Sequence, residues 1–245
     1  MLSELYQILK QDTRTQLWFS PCKRVLLICD DCMKILPQIP AGVVDAVVTD
    51  PPYGIGASGG VGKYGVQKWG GDRDLKWDVQ PIGKDAISML IECSKQQIIW
   101  GMNYFPLPPS RMYLVWDKGN GFRGRTFSEC ELAWCSMDGN ARVFNRDPLA
   151  CRDYVGKQHP TQKPVALMYW CCELVGGEII MDLFMGVAST GIAAIRLGRS
   201  FIGIEIEPKY FEIAKDRIEA ELNQPQLFDV PEPQVEQDSL FQGNG

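Results

Sequence analysis

Asp50-Pro51-Pro52-Tyr53 combines a carboxylate, a stiff backbone and an aromatic ring within four residues. The tetrapeptide follows the apolar run 43–49, so we expect it where a buried strand ends. Each proline fixes its own φ, lacks an N–H and holds the preceding residue in extended geometry. The carboxylate and a free carbonyl can each accept one hydrogen of an exocyclic amine, while Tyr53 stacks on the base that carries it. A stiff loop with an exposed tyrosine is the alternative.

A second motif joins a predicted strand to a predicted helix. Residues 182–191 read Asp-Leu-Phe-Met-Gly-Val-Ala-Ser-Thr-Gly, and Glu205 ends the next predicted strand, 21 positions after Phe184. In dinucleotide-binding folds a carboxylate ~20 residues along binds the ribose hydroxyls. The turn has fewer glycines than contact with a pyrophosphate requires. S-adenosylmethionine, which has a ribose and no phosphate, therefore fits better than a nicotinamide cofactor, and a tight turn without any ligand is the alternative.

The net charge of −5 is unevenly distributed along the chain. Residues 221–245 contain five acidic and no basic residues, so the remaining 220 residues are neutral overall. Residues 118–163 contain eight basic and five acidic residues, which is compatible with a transient DNA contact. Such a cluster is also typical of ordinary solvated surface.

The nine cysteines, an odd number, lie in apolar contexts and indicate reduced thiols rather than a disulfide framework. Cys29-Asp30-Asp31-Cys32 has the spacing of metal ligands, but His159 is the only histidine and no second close cysteine pair accompanies it. We therefore predict no metal site. Without a leader-like segment or an apolar run of membrane-spanning length, we expect a soluble cytoplasmic protein.

Hydrophobic periodicity predicts alternating strands and helices. Strands are predicted at 25–29, 43–49, 97–100, 113–116, 129–136, 141–144, 178–183 and 200–205, with a helical turn at 32–36 and helices at 84–95, 164–175, 189–197 and 208–222. This alternation is typical of right-handed parallel crossovers and of a doubly wound α/β sheet.

Three further segments differ in composition from the predicted domain at 1–222. The glycine-rich stretch 54–76 predicts a mobile loop that orders over substrate. Residues 118–160 are the predicted DNA-recognition region. Residues 223–245, rich in proline, glutamine and acid, predict a disordered acidic tail.

With both motifs considered together, the chain resembles the DNA amino-methyltransferases that methylate N6 of adenine or N4 of cytosine, over roughly residues 29–222. The catalytic motif precedes the cofactor motif, which is the order of the family's β class. The tetrapeptide at 50–53 looks like the family's catalytic motif, residues 182–186 like its cofactor loop, and Glu205 like its ribose-binding strand end. The segment 159–164 is similar to the one before the helix that closes over the methionine end, and Asp31-Cys32 matches the element beside the adenine.

The resemblance implies a single Rossmann-like S-adenosylmethionine-dependent methyltransferase domain with a small recognition insert. It implies methylation of N6 of a flipped adenine in double-stranded DNA of a bacterial cell, because aspartate in the first catalytic position is typical of adenine enzymes and serine of N4-cytosine enzymes. The implied catalytic residues are Asp50, Pro51, Pro52 and Tyr53. The implied cofactor-binding residues are Asp31, Cys32, Asp50, Thr161, Lys163, Asp182, Phe184, Gly186, Ala188, Ser189, Thr190 and Glu205.

The chain departs from the family pattern at three positions. Leu183 stands where proline is usual, Ala188 where a second glycine is usual, and Asp30 where glycine is common. If position 188 requires a positive φ, alanine costs on the order of 1 kcal/mol there. We expect such a cost to weaken cofactor binding without abolishing it.

Several functions remain open at this point. A non-catalytic DNA-binding regulator with the same fold is one alternative. Methylation of RNA or of a protein amide is another, although the protein-glutamine enzymes usually carry asparagine where this chain has Asp50. DNA recognition can involve few bases, the loop 54–76 or a second subunit of a homodimer. Whether a restriction partner exists is also open.

The predicted tail contains the pattern Gln-x-x-Leu-Phe twice, at 224–228 and 237–241. The second copy resembles the short peptide by which bacterial DNA-processing proteins bind the replicative sliding clamp. We predict that purified clamp retains the intact chain in a pull-down and does not retain the Leu240→Ala/Phe241→Ala variant. Equal retention of both would assign the pattern to chance in a glutamine-rich segment.

Overall fold

The computed structural model describes residues 1–55, 81–125 and 127–224. Most of the predicted loop at 54–76 and nearly all of the predicted tail, including both Gln-x-x-Leu-Phe copies beyond residue 224, lie outside the described residues. The nine strands of the described residues form one sheet in the order β1-β2-β9-β8-β3-β4-β6-β5-β7.

The strands and helices follow the predicted alternation. The strands are β1 Gln16–Phe19, β2 Val25–Cys29, β3 Ala46–Thr49, β4 Gln96–Trp100, β5 Tyr113–Asp117, β6 Cys130–Cys135, β7 Arg142–Asn145, β8 Ile179–Asp182 and β9 Ser200–Glu205. The helices are α1 Leu2–Leu9, α2 Cys32–Ile35, α3 Lys84–Glu92, α4 Val165–Leu174, α5 Ser189–Arg196 and α6 Pro208–Leu222. None of the helices in the described ranges is long and apolar enough to cross a membrane.

Five strands, β2, β9, β8, β3 and β4, run parallel and form the centre of the sheet. All four residues of β3 are buried, as expected for a parallel strand covered on both faces. Alternate residues pack on opposite sides, so Leu27 and Val48 contact the layer of α4, α5 and α6, whereas Ile28 and Val47 contact the layer of α1, α2 and α3. The predicted doubly wound α/β sheet is confirmed.

The structure differs from the sequence prediction at the flanks of the sheet. Neither α1 nor β1 was predicted, and β6 is antiparallel to both β4 and β5. The strand predicted at 43–49 begins only at Ala46. Asp45, directly before it, accepts hydrogen bonds from the N–H groups of Glu178 and Ile179 at 2.9 and 3.1 Å, so this stretch is fixed against the turn before β8.

The carboxyl ends of the parallel strands meet at one edge of the sheet. Asp30 and Asp31 follow β2, Asp50 follows β3, Asp182 ends β8 and Glu205 ends β9. Because β6 runs in the opposite direction, its beginning lies at the same edge, next to the end of β5. In open α/β sheets this edge is where ligands bind.

The helix α5 begins with a strained residue. Ala188, its N-cap, has φ +58° and ψ 42°, the left-handed conformation that glycine adopts without cost. Position 188 therefore has the positive φ at which alanine costs energy relative to glycine. Its methyl group is fully buried in the core between the sheet and the helices α4 to α6.

Replacement of Ala188 by glycine has opposing effects of similar size on the free energy of unfolding. The change relieves about 1–2 kcal/mol of backbone strain but removes a buried methyl group worth about 0.8 kcal/mol and adds freedom to the unfolded chain. We predict that Ala188→Gly changes the free energy of unfolding in urea by less than about 1 kcal/mol. The control Ala193→Gly, equally buried inside α5, should lose about 2 kcal/mol. Equal losses in both variants would show that residue 188 is not strained.

Candidate active site

A cleft at the carboxyl edge of the sheet brings the two motifs together. The predicted site residues that line it are Asp31, Cys32, Asp50, Pro52, Thr161, Lys163, Asp182, Phe184, Gly186, Ser189, Thr190 and Glu205. Pro51, Tyr53 and Ala188 do not line it. Asp50 of the first motif and Gly186 of the second motif therefore line the same cleft.

Asp182 connects three elements at the floor of the cleft. Its carboxylate accepts hydrogen bonds at 2.6 Å from the hydroxyls of Thr49 and Thr190, and one at 3.1 Å from the N–H of Phe184. Burial raises the pKa of Asp182 to about 6, against the opposing effect of these hydrogen bonds. The side chain thus joins β3, β8 and α5 and fixes the start of the second motif.

Glu205 holds the middle of the second motif. One carboxylate oxygen accepts the N–H of Gly186 at 2.8 Å and the other accepts the N–H of Glu207 at 2.9 Å. Burial raises the pKa of Glu205 to about 7, although both hydrogen bonds lower it. Each carboxylate oxygen can accept a second hydrogen bond, so Glu205 can also bind a ligand hydroxyl.

Ser189, the first residue of α5, lines the cleft. Its side chain is buried, with 7% of the residue exposed, and its hydroxyl has no hydrogen-bond partner among the described residues. Buried hydroxyls are nearly always paired in folded proteins. This orphaned hydroxyl is therefore the observation that calls for a polar ligand group at the start of α5.

The cysteines near the cleft are inert thiols. Burial raises the pKa of Cys32 to about 12 and that of Cys29 to about 11, with nearby carboxylates adding to both shifts. Metal binding and nucleophilic chemistry require the thiolate form. Asp31, between them, accepts the N–H of Met33 at 2.9 Å and so caps α2.

His159 is a cleft residue that the sequence-based site omitted. Its ring packs edge-on against Tyr210 at 4.2 Å, and its Nδ1 accepts the N–H of Thr161 at 3.3 Å. Burial lowers the pKa of His159 to about 3, so the ring is neutral. The ring also lies close to Gly186, where a Cβ would approach it to 3.7 Å. His159 thus links the segment before α4 to the second motif.

Asp50 occupies the other end of the cleft with both carboxylate oxygens engaged. Oδ1 accepts the hydroxyl of Tyr53 at 2.5 Å, and Oδ2 accepts the ammonium of Lys163. Burial raises the pKa of Asp50, while Lys163 opposes that shift. An amine can bind this carboxylate only by sharing or replacing one of these donors.

The Tyr53 ring is held by residues that follow β4. Gly101 has φ +78°, and a Cβ at that position would lie 2.1 Å from the ring, so glycine alone fits there. Tyr104 stacks on the ring at 4.7 Å with an interplanar angle of 11°, and Phe105 contacts it edge-on at 6.1 Å. A base that stacks on the same face must displace Tyr104. Sequence analysis missed this pair, because the stacking depends on which strand neighbours β3.

Lys163 has a second carboxylate partner in Glu131, the second residue of β6. The ammonium of Lys163 lies 3.0 Å from Glu131, and the ammonium of Lys118 lies 2.6 Å from the other oxygen of the same carboxylate. Burial alone would raise the pKa of Glu131, but Lys163 and Lys118 lower it to about 2. Glu131 and Lys118 also escaped the sequence analysis, since no local pattern marks them.

The predicted recognition region 118–160 carries less free positive charge than its composition indicates. Within residues 118–163, ion pairs engage four of the eight basic side chains: Lys118, Lys163, Arg123 and Arg146. Arg123 pairs with Asp117 and Glu129, and Arg146 pairs with Asp153. The positive charge of these four side chains is therefore at least partly neutralised within the protein.

Comparison with known proteins gives sequence relatives over most of the chain. A sequence model of the family described as DNA methylase matches residues 110–216. Type II methyltransferase M2.DpnII of Streptococcus pneumoniae is 26% identical over 244 residues, covering 81% of this chain and 91% of the relative. The putative methylase YubD of Escherichia coli strain K12 is 26% identical over 210 residues, covering 78% and 88%.

Two solved structures share the fold. The crystal structure of the M1.HpyAVI–SAM complex matches with a TM-score of 0.52 and 23% identity, covering 79% of this chain and 99% of that one. TTHA0409, a putative DNA modification methylase from Thermus thermophilus complexed with S-adenosyl-L-methionine, matches with a TM-score of 0.50 and 18% identity, covering 82% and 95%. The convergence of both motifs on one cleft agrees with these matches, and over residues 110–216 the chain is similar to the family described as DNA methylase.

Proposed function

We propose that this protein is a site-specific DNA methyltransferase that transfers a methyl group from S-adenosylmethionine to the N6 amine of a flipped adenine. The observation that carries the proposal is the common cleft, lined at one end by Asp50 and at the other by Gly186 and Ser189. The sequence relatives named as methyltransferase or methylase support the reaction class.

The second motif fits S-adenosylmethionine chemically. Glu205 has free acceptor capacity for ribose hydroxyls, and the unpartnered hydroxyl of Ser189 can bind a polar group of the ligand. Asp31 and Phe184 line the same part of the cleft. When bound, the cofactor supplies a methyl group on a positively charged sulfur, and the buried carboxylates offer a favourable electrostatic environment for that charge.

The first motif would activate the amine by geometry. An adenine amine is a poor nucleophile, because its lone pair is delocalised into the ring. Asp50 and the carbonyl of Pro51 would accept its two hydrogens and turn the lone pair out of the ring plane. The rate gain then comes from positioning and from negative charge placed where positive charge develops. Asp50 need not act as a strong base, since the proton can leave after the transfer.

A paired adenine cannot reach a cleft at the edge of the sheet, so the target base has to leave the stack. Tyr53 would then hold the base, and stacking of this kind is worth ~1–3 kcal/mol per base. The regions proposed to contact the duplex are residues 118–160 and the loop at 54–76, and a homodimer would add a second such surface. Binding of a sliding clamp through 237–241 stays a prediction from sequence.

Adenine is favoured over cytosine by the aspartate at position 50. This is an association from the resemblance, because aspartate and serine can both accept a hydrogen bond from an amine. N4-methylation of cytosine is therefore the alternative product, and a non-catalytic DNA-binding regulator is the alternative role.

One experiment separates these three functions. The protein is incubated with unmethylated plasmid DNA and tritiated S-adenosylmethionine, and the DNA is digested to nucleosides that are identified by mass. We expect radioactive DNA and N6-methyl-2′-deoxyadenosine. N4-methylcytosine would establish the alternative specificity, and DNA without label would support the regulator.

The two ends of the cleft should be separable by mutation. Asp50→Ala removes the acceptor of the amine, so we predict that kcat falls on the order of 10³-fold while the Kd for cofactor changes less than about twofold. Glu205→Gln removes a charged acceptor, so that Kd should rise on the order of tenfold, with DNA affinity retained. Calorimetry and single-turnover assays measure both. Wild-type turnover in Asp50→Ala would refute the role of Asp50.

The structure gives Tyr53 two separable contributions. Tyr53→Phe loses the hydrogen bond to Asp50 but keeps the ring, so we expect kcat to fall less than about tenfold. Tyr53→Ala also loses the stacking surface and should weaken binding of the extruded base by a further factor of about 10–100. The readout is methyl transfer to duplex DNA compared with DNA that carries a mismatched target base. Equal defects in both variants would argue against stacking.

A further inference from the structure

Four charged side chains of alternating sign form a buried row at the end of the cleft. Asp50 contacts Lys163, Lys163 lies 3.0 Å from Glu131, and Glu131 lies 2.6 Å from Lys118. The two lysine side chains are only 6% and 8% exposed. The row carries no net formal charge, so each ion has a countercharge beside it, although 15% of the Asp50 side chain and 21% of the Glu131 side chain are exposed.

The row creates a problem for the proposed reaction. Tyr53 and Lys163 already donate to the two oxygens of Asp50, so the target amine has to replace or crowd one of them. Where the amine replaces Lys163, the ammonium loses its contact with Asp50 at a position where only 6% of the lysine side chain is exposed. A buried ammonium without a partner is costly, and that cost would add to the barrier.

Glu131 removes this cost, because it already lies beside the same ammonium. We propose that Glu131 is a positioning residue that keeps Lys163 paired when the target amine takes the place of Lys163 on Asp50. The proposal rests on the proposed methyl transfer, and Glu131 itself touches neither base nor cofactor in it. Lys163 thereby exchanges one of two carboxylates for the other without leaving the row.

Lys118 keeps Glu131 in place for this exchange. The Lys118 ammonium contacts Oε1 of Glu131, which leaves Oε2, an atom with no hydrogen-bond partner among the described residues, 3.0 Å from the Lys163 ammonium. The same ammonium lies 5.2 Å from the centre of the Trp116 ring and 5.3 Å from that of Phe122, and both rings limit its movement. Trp116 also stands opposite Glu131 in the pairing of β5 with β6. The position of Glu131 is therefore set by paired strands, and Lys118 directly follows the end of β5.

A purely structural ion pair makes a different prediction from a positioning residue. If Glu131 only stabilises the fold, its loss lowers activity whether or not Lys163 is present. If Glu131 acts through Lys163, its effect has to reverse when Lys163 is absent. Without the Lys163 ammonium, the row has two carboxylates and one cation, Lys118, so the charge of Glu131 disfavours the ionised form of Asp50.

The experiment compares Glu131→Gln in two backgrounds by single-turnover methyl transfer to unmethylated plasmid DNA at saturating cofactor. In the wild-type background we expect kcat to fall on the order of 100-fold, as for a misplaced catalytic group, with the Kd for cofactor unchanged. In the Lys163→Met background the same substitution should raise kcat. Glu221→Gln, which breaks the distant ion pair with Arg196, is the matched control and should leave kcat unchanged.

Loss of activity on Glu131→Gln in both backgrounds, or in neither, overturns the inference. If Lys163→Met does not fold, the pH profile of Glu131→Gln replaces it. Asp50 and Glu131 together raise the pKa of Lys163 against the effect of burial, so without Glu131 the ammonium loses its proton at lower pH and releases Asp50. The ratio of variant to wild-type kcat should then rise with pH, and parallel profiles overturn the inference. Wild-type protein that transfers no methyl group overturns the proposed function, and this inference with it.

Discussion

The site depends on one hydrogen bond between two adjacent strands. The hydroxyl of Thr49 donates to Asp182 at 2.6 Å, across 133 positions of the sequence. Thr49 directly precedes Asp50, and Asp182 begins the second motif, so this bond fixes Asp50 beside the second motif. It exists because β3 and β8 are parallel neighbours whose carboxyl ends meet at the same edge. A methyl group can pass between the two motifs only if that spacing is maintained.

Three buried carboxylates at this edge have different partners and therefore different properties. Two hydroxyls and one backbone amide bind Asp182, two backbone amides bind Glu205, and a hydroxyl and an ammonium bind Asp50. Hydroxyls and amides satisfy a carboxylate without neutralising it, which leaves the first two suited to hold a loop or a ligand hydroxyl. The ammonium pairs Asp50 with a countercharge, and a countercharge can be exchanged for a substrate amine. The donors that each carboxylate receives therefore determine whether it is suited to hold the backbone in place or to bind a substrate amine.

The strained and crowded positions lie around the same cleft. Ala188 adopts a positive φ at the start of α5, and Gly101 admits the Tyr53 ring where any side chain would collide with it. Strain of this kind persists where surrounding packing determines the backbone, and it gathers at functional sites. The Tyr53–Tyr104 stack and the Lys163 ion pair are contacts within the protein that an incoming base would have to rearrange.

The sequence by itself determined eight of the nine described strands, most of the helices and both motifs, because apolar periodicity and the Asp-Pro-Pro-Tyr and strand-turn-helix patterns are local. It also identified Ala188 as a position where a positive φ would be strained. Tertiary structure alone decided that β6 runs antiparallel between β4 and β5, which brings Glu131 and Lys118 to the catalytic end of the cleft. It also decided that Tyr104 covers Tyr53. Those contacts depend on strand order, and strand order is set by long-range packing that leaves no mark in any short stretch of sequence.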